Sequence, residues 1–275
     1  MDYLYPEEKM TKILTIPIDK DNLYNLNKLD IDGFVIGLKG YSIYTSLNLT
    51  LEDIKELNID KELYISINKL LNTKEIDELK PIVEELSKLN IKGIMFDDIG
   101  IINICKNIDL IWSSMHHVTN SKTINFWTKQ GIKGAVLSTE ITLDDFISIK
   151  KNTNTNIFVY LYGYLPMFES SRELLTNYFK YISKPKTDDI YYLKNNDKYY
   201  PIYEENNNTY ILEDILDGIE ELDIIKKNNI DYVILNGLLH DNDTFINIVK
   251  KYINGVGKSN KKGFLYKETI YKVRE

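Results

Sequence analysis

The chain has 275 residues, of which 43% are hydrophobic and 27% charged, a composition ordinary for a soluble protein with a sizeable core. Its formal net charge of −7 disfavours a general nucleic-acid binder without excluding a local basic patch. The single cysteine, Cys105, excludes an intramolecular disulfide and cannot build a zinc or iron–sulfur site alone. The sequence shows no signal-peptide pattern and no apolar stretch approaching the ~18 residues of a membrane span. We therefore expect a cytoplasmic protein without a membrane partner.

A strand-entry phrase recurs along the chain. It begins at Ile31, Ile91, Ile132 and Ile230, and each copy leads from a polar or glycine-containing turn into a short apolar run. Such runs are typical of parallel strands that are buried on both faces. Together with four further apolar runs, the phrase predicts strands at 13–18, 31–36, 63–67, 91–96, 110–114, 132–137, 157–161 and 230–235.

Helical patterns lie between these strands. The stretch 74–89 has an apolar stripe, and 242–253 is the last predicted helix. Asn72 and Thr142 are predicted N-caps, whereas Pro81 predicts a kink or a split. Eight strands that alternate with helices predict an α/β fold, a (β/α)8 TIM-like barrel, in one domain of about the 250 residues this fold needs. An open doubly wound sheet is the alternative, although no glycine-rich loop after a strand supports a dinucleotide fold.

The connection before the last strand is about seventy residues long. Within it, residues 190–194, 198–204 and 209–212 predict strands separated by asparagine-rich turns. We interpret residues 164–220 as a small β-meander insertion. Because it follows the carboxyl end of a barrel strand, it should lie on the catalytic face. It acts there as a lid or substrate contact, or it is a decorative insertion without a function.

Polar residues at strand ends are the natural candidates for chemistry in this fold. Asp98 and Glu140 follow two such strands and could share a proton or hold a cation, or could instead cap the helices that follow. Further candidates are Ser114 and His117 for catalysis and Tyr162, Gly163 and Asn236 for substrate binding. His116 and His117 are adjacent, so at most one points inward from an extended segment. No order of residues indicates a Ser-His-Asp triad, no motif indicates zinc, and Cys105 is expected to be buried.

The tail at 258–275 is basic, and it contains Lys258, Lys261, Lys262, Lys267, Lys272 and Arg274. It could dock a phosphate backbone. The alternative is a solvated C-terminus.

Several motifs resemble peptidase family U32, in the short form that lacks extra C-terminal domains. The matching pieces span 93–100, 113–114, 118–120, 137–143, 162–167 and 174–179, followed by 192–193, 200–202 and 263–271. Members of this family carry a peptidase label without a known catalytic type. Others are implicated in oxygen-independent hydroxylation, including that of the wobble uridine in transfer RNA with prephenate involved.

The resemblance has consequences for cofactors and partners. Many members hold an iron–sulfur cluster on cysteines where this chain has Pro166 and Glu173, so we expect neither that cluster nor a metal. Prephenate is the small-molecule co-substrate that the resemblance implies. Transfer RNA and a longer family member are the partners it implies, and the oligomeric state is left open.

We predict a role in wobble-uridine 5-hydroxylation, with a peptidase and a cluster-free, non-catalytic partner as alternatives. Peptidase chemistry needs an activated nucleophile or metal-bound water, which the sequence does not show clearly. RNA modification needs a phosphate-binding surface and aromatic contacts to bases. Residues that could supply them, or that lie in the matching motifs, are Asn120, Tyr162, Tyr164, Met167, Phe168, Arg172, Asn177 and Tyr178.

Overall fold

A computed structural model describes residues 10–205 and 207–267. Its strands are Lys12–Ile16 (β1), Gly33–Leu38 (β2), Asn48–Leu49 (β3), Glu62–Ile67 (β4), Gly93–Phe96 (β5), Leu110–Trp112 (β6), Gly134–Val136 (β7), Asn156–Ser170 (β8), Ile190–Asn195 (β9), Lys198–Glu205 (β10), Asn208–Asp217 (β11) and Tyr232–Asn236 (β12). The α-helices are Lys20–Asn27 (α1), Leu51–Lys55 (α2), Thr73–Leu86 (α3), Ile101–Ile104 (α4), Ser121–Lys129 (α5), Leu143–Lys151 (α6), Leu174–Tyr181 (α7), Leu222–Lys227 (α8) and Asn242–Asn254 (α9). A 3-10 turn, Ile219–Glu221, precedes α8.

Eight of these strands close into a parallel barrel. The order is β12-β1-β2-β4-β5-β6-β7-β8, and β8 pairs back with β12. The predicted (β/α)8 barrel is therefore confirmed, and the open doubly wound sheet is excluded. Each predicted strand overlaps one barrel strand, with its ends shifted by a few residues.

The acidic residues of the repeated phrase form hydrogen bonds at the amino-terminal ends of the barrel strands. Its acidic second position, Asp32 or Asp231, accepts a hydrogen bond from the backbone N–H of Ile13 or Ile157 on the neighbouring strand. Each carboxylate thus fixes where a strand enters the sheet. In the fourth copy, Tyr232 replaces the glycine of the other three.

The glycines of the phrase allow close packing in the barrel floor, and Gly134 leaves space for the ring of Phe158. A Cβ on Gly33, Gly93 or Gly134 would lie 2.4–2.7 Å from an atom of another strand. The rings of Phe158 and Tyr232 stack at 4.1 Å, and Tyr64 packs edge-on against both. The rest of the interior is aliphatic, and its buried members are Leu14, Ile16, Val35, Met95, Ile111, Val136 and Ile234.

The outer helices begin where their caps predict. Asn72 and Thr142 each accept a hydrogen bond from the third helical N–H, and the acid at that position bonds back. The predicted split at Pro81 is wrong, because α3 runs from Thr73 to Leu86 without interruption. None of the helices in the described ranges is both long and apolar enough to cross a membrane.

The insertion is an extension of the barrel sheet itself. The predicted end of the seventh barrel strand at residue 161 is wrong, because β8 continues to Ser170 and pairs antiparallel with β11. The three predicted strands of the meander are present as β9, β10 and β11. The long strand β8 therefore belongs to both the barrel and the meander.

Candidate functional site

The carboxyl ends of the barrel strands form a mouth that the meander covers on one side. Tyr203 and Tyr210 of the meander pack with Tyr44 from the loop after β2 and Leu238 from the loop after β12. The Tyr44 hydroxyl also donates to the carbonyl of Phe168 over 3.3 Å. The insertion thus lies at the carboxyl ends of the barrel strands, and that this end is the catalytic face stays a prediction. The side of the mouth above β5, β6 and β7 carries the polar cluster described next.

Asp97, Ser114 and His117 form a polar cluster on this side. The Ser114 hydroxyl lies 2.8 Å from His117 Nδ1, and the Asp97 carboxylate interacts with Ser114 and with both histidines. Ser114 is buried, whereas His117 is exposed to solvent. Burial raises the pKa of Asp97 above its ordinary value, while Ser114 and the two histidines act in the opposite direction. The arrangement can hold a proton and pass it along a short chain.

Alternation along β5 explains why Asp97, and not Asp98, reaches this cluster. Met95 points into the barrel, so the side chain two residues later points to the same side. Asp98 points elsewhere, and its two oxygens accept from the backbone N–H groups of Leu71 and Gly100 at 3.0 and 2.8 Å. Asp98 thus holds two loops together. Period-two alternation in the sequence could have identified Asp97.

Glu140 lies on the rim rather than opposite Asp98. Its carboxylate is 3.4 Å from His116 Nδ1, and both side chains are about half exposed (49% and 51%). The structure therefore gives Asp98 and Glu140 different partners. Across the described ranges, no three His, Cys, Asp or Glu side chains gather in a way that could hold a metal ion.

The meander contributes a second carboxylate to the mouth. Burial raises the pKa of Glu169, and the nearby Asp97 adds to this rise while Lys69 opposes it. Two partly buried acids thus lie close enough at the mouth for one to affect the pKa of the other. Sequence reasoning missed Glu169 because its approach depends on the path of β8 beyond the barrel.

A small cavity lies at the centre of the mouth. It measures about 10 Å³, room for about one water molecule, and its lining residues are Ser113, Ser114, Met115, Val136, Leu137, Thr139 and Tyr160. Burial raises the pKa of Tyr160 to about 12, so this hydroxyl is protonated at neutral pH. The cavity beside the cluster is thus too small to enclose a substrate.

Several predicted substrate-binding residues stabilise the fold around the mouth. Asn120 caps α5 by accepting from the N–H of Thr123 at 2.9 Å. Asn236 donates to the carbonyl of Tyr44 and accepts from the N–H of Leu238, which joins two loops of the rim. Their role in substrate binding stays a prediction.

The other predicted binding residues are spread over the insertion. Tyr162 is buried, and its hydroxyl lies 3.3 Å from His240 Nε2. Met167 is 41% exposed on β8, while Arg172 and Asn177 are exposed near and on α7. Tyr203 pairs with Ile190, so the next residue, Tyr191, points to the other face of the meander. Phe179 of α7 packs on Tyr191, and this helix therefore covers the face that lies opposite Tyr203. The structure therefore does not bring Asn177 to the polar cluster.

The residues at the expected cluster positions do not fit an iron–sulfur centre. Pro166 pairs with Leu212 inside the antiparallel sheet, and Glu173 stands at the start of α7, so neither position offers a thiolate. Cys105 is buried at the end of α4, and burial raises the pKa of its thiol to about 12. This thiol is a poor ligand and a poor nucleophile.

The described part of the basic tail is largely neutralised by acids of the chain itself. Lys261 pairs with Asp214 at 3.1 Å, and Lys262 pairs with Glu220 and Glu221 at 2.8 and 2.9 Å. Lys272 and Arg274 lie outside the described residues. A phosphate-binding role for this tail stays a prediction, and the paired lysines weaken it.

Fold and site together define an α/β barrel protein with an acid–base cluster at its mouth. The model of peptidase family U32 matches residues 20–272, and the chain belongs to this family. The "tRNA hydroxylation protein P2" of Bacillus subtilis is 25% identical, and the alignment covers 96% of this chain and all of that protein.

Two further comparisons are more limited. The "tRNA hydroxylation protein P1" of Bacillus subtilis is 25% identical over 56% of this chain and 40% of that protein. Among solved structures, a glycoside hydrolase family 18 N-acetylglucosaminidase from Paenibacillus barengoltzii covers 90% of this chain and all of its own. Its identity is 8% and its TM-score 0.45, which is too distant to inform the chemistry.

Proposed function

We propose that this chain acts in the 5-hydroxylation of the wobble uridine of transfer RNA. The observation that carries the proposal is the match to the tRNA hydroxylation protein P2 along its whole length. Membership of family U32 is consistent with it. The polar cluster at the mouth supplies groups that such a reaction needs.

The reaction replaces the hydrogen on C5 of the base by a hydroxyl group. If water provides the oxygen, uridine and water together release two electrons and two protons. The reaction therefore requires a group that accepts protons and a separate electron acceptor. Asp97, Ser114 and His117 are placed to receive and relay protons. We propose that a longer family member supplies the two-electron acceptor, and prephenate is the small-molecule co-substrate that the family resemblance implies.

A deletion strain tests the proposal. Transfer RNA nucleosides from the strain, analysed by mass spectrometry, should lack 5-hydroxyuridine derivatives, and the intact gene should restore them. Asp97→Asn and Ser114→Ala should fail to restore them, because general acid–base groups contribute about 100-fold or more to such rates. Asp77→Asn, on the exposed surface of α3, is the matched control and should restore them fully. Unchanged nucleosides in the deletion strain would refute the proposal.

The Ser114–His117 contact also favours a peptidase as a second candidate. In a nucleophilic triad, however, the acid accepts a hydrogen bond from the histidine, and the described residues show no such bond between Asp97 and His117. The histidine is therefore less well oriented to activate the hydroxyl. Peptide cleavage by the purified protein that disappears in Ser114→Ala would support the peptidase, and uncut peptide libraries would argue against it.

A further inference from the structure

The hairpin of β9 and β10 projects an aromatic and basic surface beyond the barrel. Tyr192 and Tyr199 are both 59% exposed, and Lys194 Nζ lies over the Tyr199 ring at 5.6 Å from its centre. Lys194 and Tyr199 are cross-strand partners, and Tyr192 is two residues from Lys194, so all three share one face of the sheet. We call these three side chains the hairpin face.

The hairpin face is continuous with the roof of the mouth. Ile190 pairs with Tyr203, and Tyr203 pairs with Tyr210, so period-two alternation places Tyr203 and Tyr210 on the same side of the sheet as Tyr192. Tyr210 in turn pairs with Glu169. The face is exposed at Tyr199 and becomes buried at Tyr203 and Tyr210, which are 7% and 1% exposed, so the hairpin face lies at the outer edge of the roof. Along β10 the path from Tyr199 to Tyr203 is about 13 Å.

Charge on the two sides of the hairpin is distributed unequally. Lys198, on the opposite face, is paired with Glu213 at 3.7 Å. Lys194 has no acidic partner in the described part of the chain, so its charge remains available to a ligand. The ring of Tyr164 stacks on His240, with 5.8 Å between the ring centres. Burial raises the pKa of Tyr164, and Tyr192 adds to this rise. The aromatic surface is therefore wider than the hairpin alone.

We propose that the hairpin face binds single-stranded RNA at the outer edge of the roof. Bases stack on Tyr192 and Tyr199, and Lys194 contacts the backbone phosphate between them. Proteins bind single strands with this combination of exposed rings and interleaved cations. Duplex RNA hides its base faces and is a poor ligand for such a surface. The inference rests on the proposed function, since it identifies how the substrate of that reaction would be held.

Fluorescence anisotropy with a labelled oligouridine of about 12 nucleotides tests the inference on the full-length protein. Tyr192→Ala and Tyr199→Ala should each weaken binding by about 5-fold to 100-fold, because each removes one stacking ring. Tyr192→Phe and Tyr199→Phe should bind like the wild type. A hairpin RNA without an unpaired loop should bind more weakly than the oligouridine.

Two matched controls separate the hairpin face from general exposure and charge. Tyr181→Ala removes a ring that is 87% exposed on α7 and should leave binding unchanged. Lys194→Gln should reduce the slope of log affinity against log salt by about 0.7, whereas Lys198→Gln should not change it. Circular dichroism of every variant should match the wild type.

The outcomes distinguish this inference from the proposed function. The RNA-binding role of the hairpin face would be refuted if the protein did not bind oligouridine, or if the Tyr192, Tyr199 and Tyr181 variants lost affinity equally. This holds even if the deletion strain lacks the modified nucleoside. Conversely, binding that depends on the hairpin face together with unchanged nucleosides would refute the hydroxylation role and leave the RNA surface standing.

Discussion

The two sides of the barrel mouth are built in different ways. The roofed side is a packed aromatic and aliphatic cluster in which Tyr210 is 1% exposed and Leu212 is fully buried. The open side carries Asp97, His116, His117 and Glu140, with two of these side chains about half exposed. Packing therefore holds the insertion rigidly over one side, which leaves polar groups accessible on the other. A site of this kind needs no moving lid to admit a large substrate.

Removing the central ring of the roof should give the largest effect on stability. Tyr210 contacts Tyr44 and Tyr203, each with 5.2 Å between ring centres. Tyr210→Ala should lower the free energy of unfolding by about 3–5 kcal/mol, as large-to-small changes of buried aromatic residues do. Urea denaturation followed by circular dichroism measures this. Tyr199→Ala, at an exposed position on the same sheet face, should change it by about 0.5 kcal/mol or less. Similar losses in both variants would show that the roof is not packed as described.

The junction between the two regions should be the next most sensitive position. Gly163 has a φ of +128°, and a Cβ there would lie 2.9 Å from the Asn236 carbonyl oxygen. Gly163→Ala should cost about 1–3 kcal/mol from backbone strain alone, and the close approach adds to it. Gly131→Ala is the control, because its φ of +106° is also strained but nothing lies near its Cβ. Chemical denaturation of the two variants compares them, and an equal cost in both would mean that the approach to β12 is unimportant.

On the open side, the buried carboxyl group of Asp97 should affect how stability depends on pH. Burial raises the pKa of Asp97 in the folded protein, so the folded state binds more protons than the unfolded state as pH passes from the ordinary pKa to the raised one. The contribution of Asp97 to stability therefore falls with rising pH in this window. Asp97→Asn should be more stable than the wild type near neutral pH, and the gap should close at acid pH. Urea titrations at a series of pH values measure the gap.

Asp53 provides a control of opposite sign. Its hydrogen bonds with Lys20 and Thr50 lower its pKa to about 2, so its stabilising contribution is lost as pH falls towards that value. Asp53→Asn should be less stable than the wild type at neutral pH, and this gap should also close on acidification. If Asp97→Asn also destabilised the protein at neutral pH, favourable interactions of the ionised Asp97 carboxylate would outweigh its desolvation.

Local patterns predicted the barrel well because each reports on a nearby contact. The strand-entry phrase places an acid where it can bond to the next strand, as Asp32 and Asp231 do. The caps at Asn72 and Thr142 depend only on residues within the same turn. The caps act within one turn, whereas the bonds of Asp32 and Asp231 span 19 and 74 residues, and in both cases the residue types are specific enough to recognise.

The candidate site was predicted only in part. Ser114 and His117 were named and do contact each other, since both lie in the turn that follows β6. Asp98 was preferred over Asp97 because strand-end position was considered without alternation. Glu169 could not be placed, because its partner Asp97 is far away in the chain and the path of β8 beyond the barrel is set by pairing with β11.

By itself the sequence determined the eight strands, the helices between them and the presence of a polar mouth, since periodicity, caps and buried runs are local properties. Only the tertiary structure decided which acid faces the cluster, that the meander roofs one side of the mouth, and that Tyr192, Lys194 and Tyr199 share a face with Tyr203. These features depend on strand register and on packing between distant segments, and a one-residue change in register would reverse each of them.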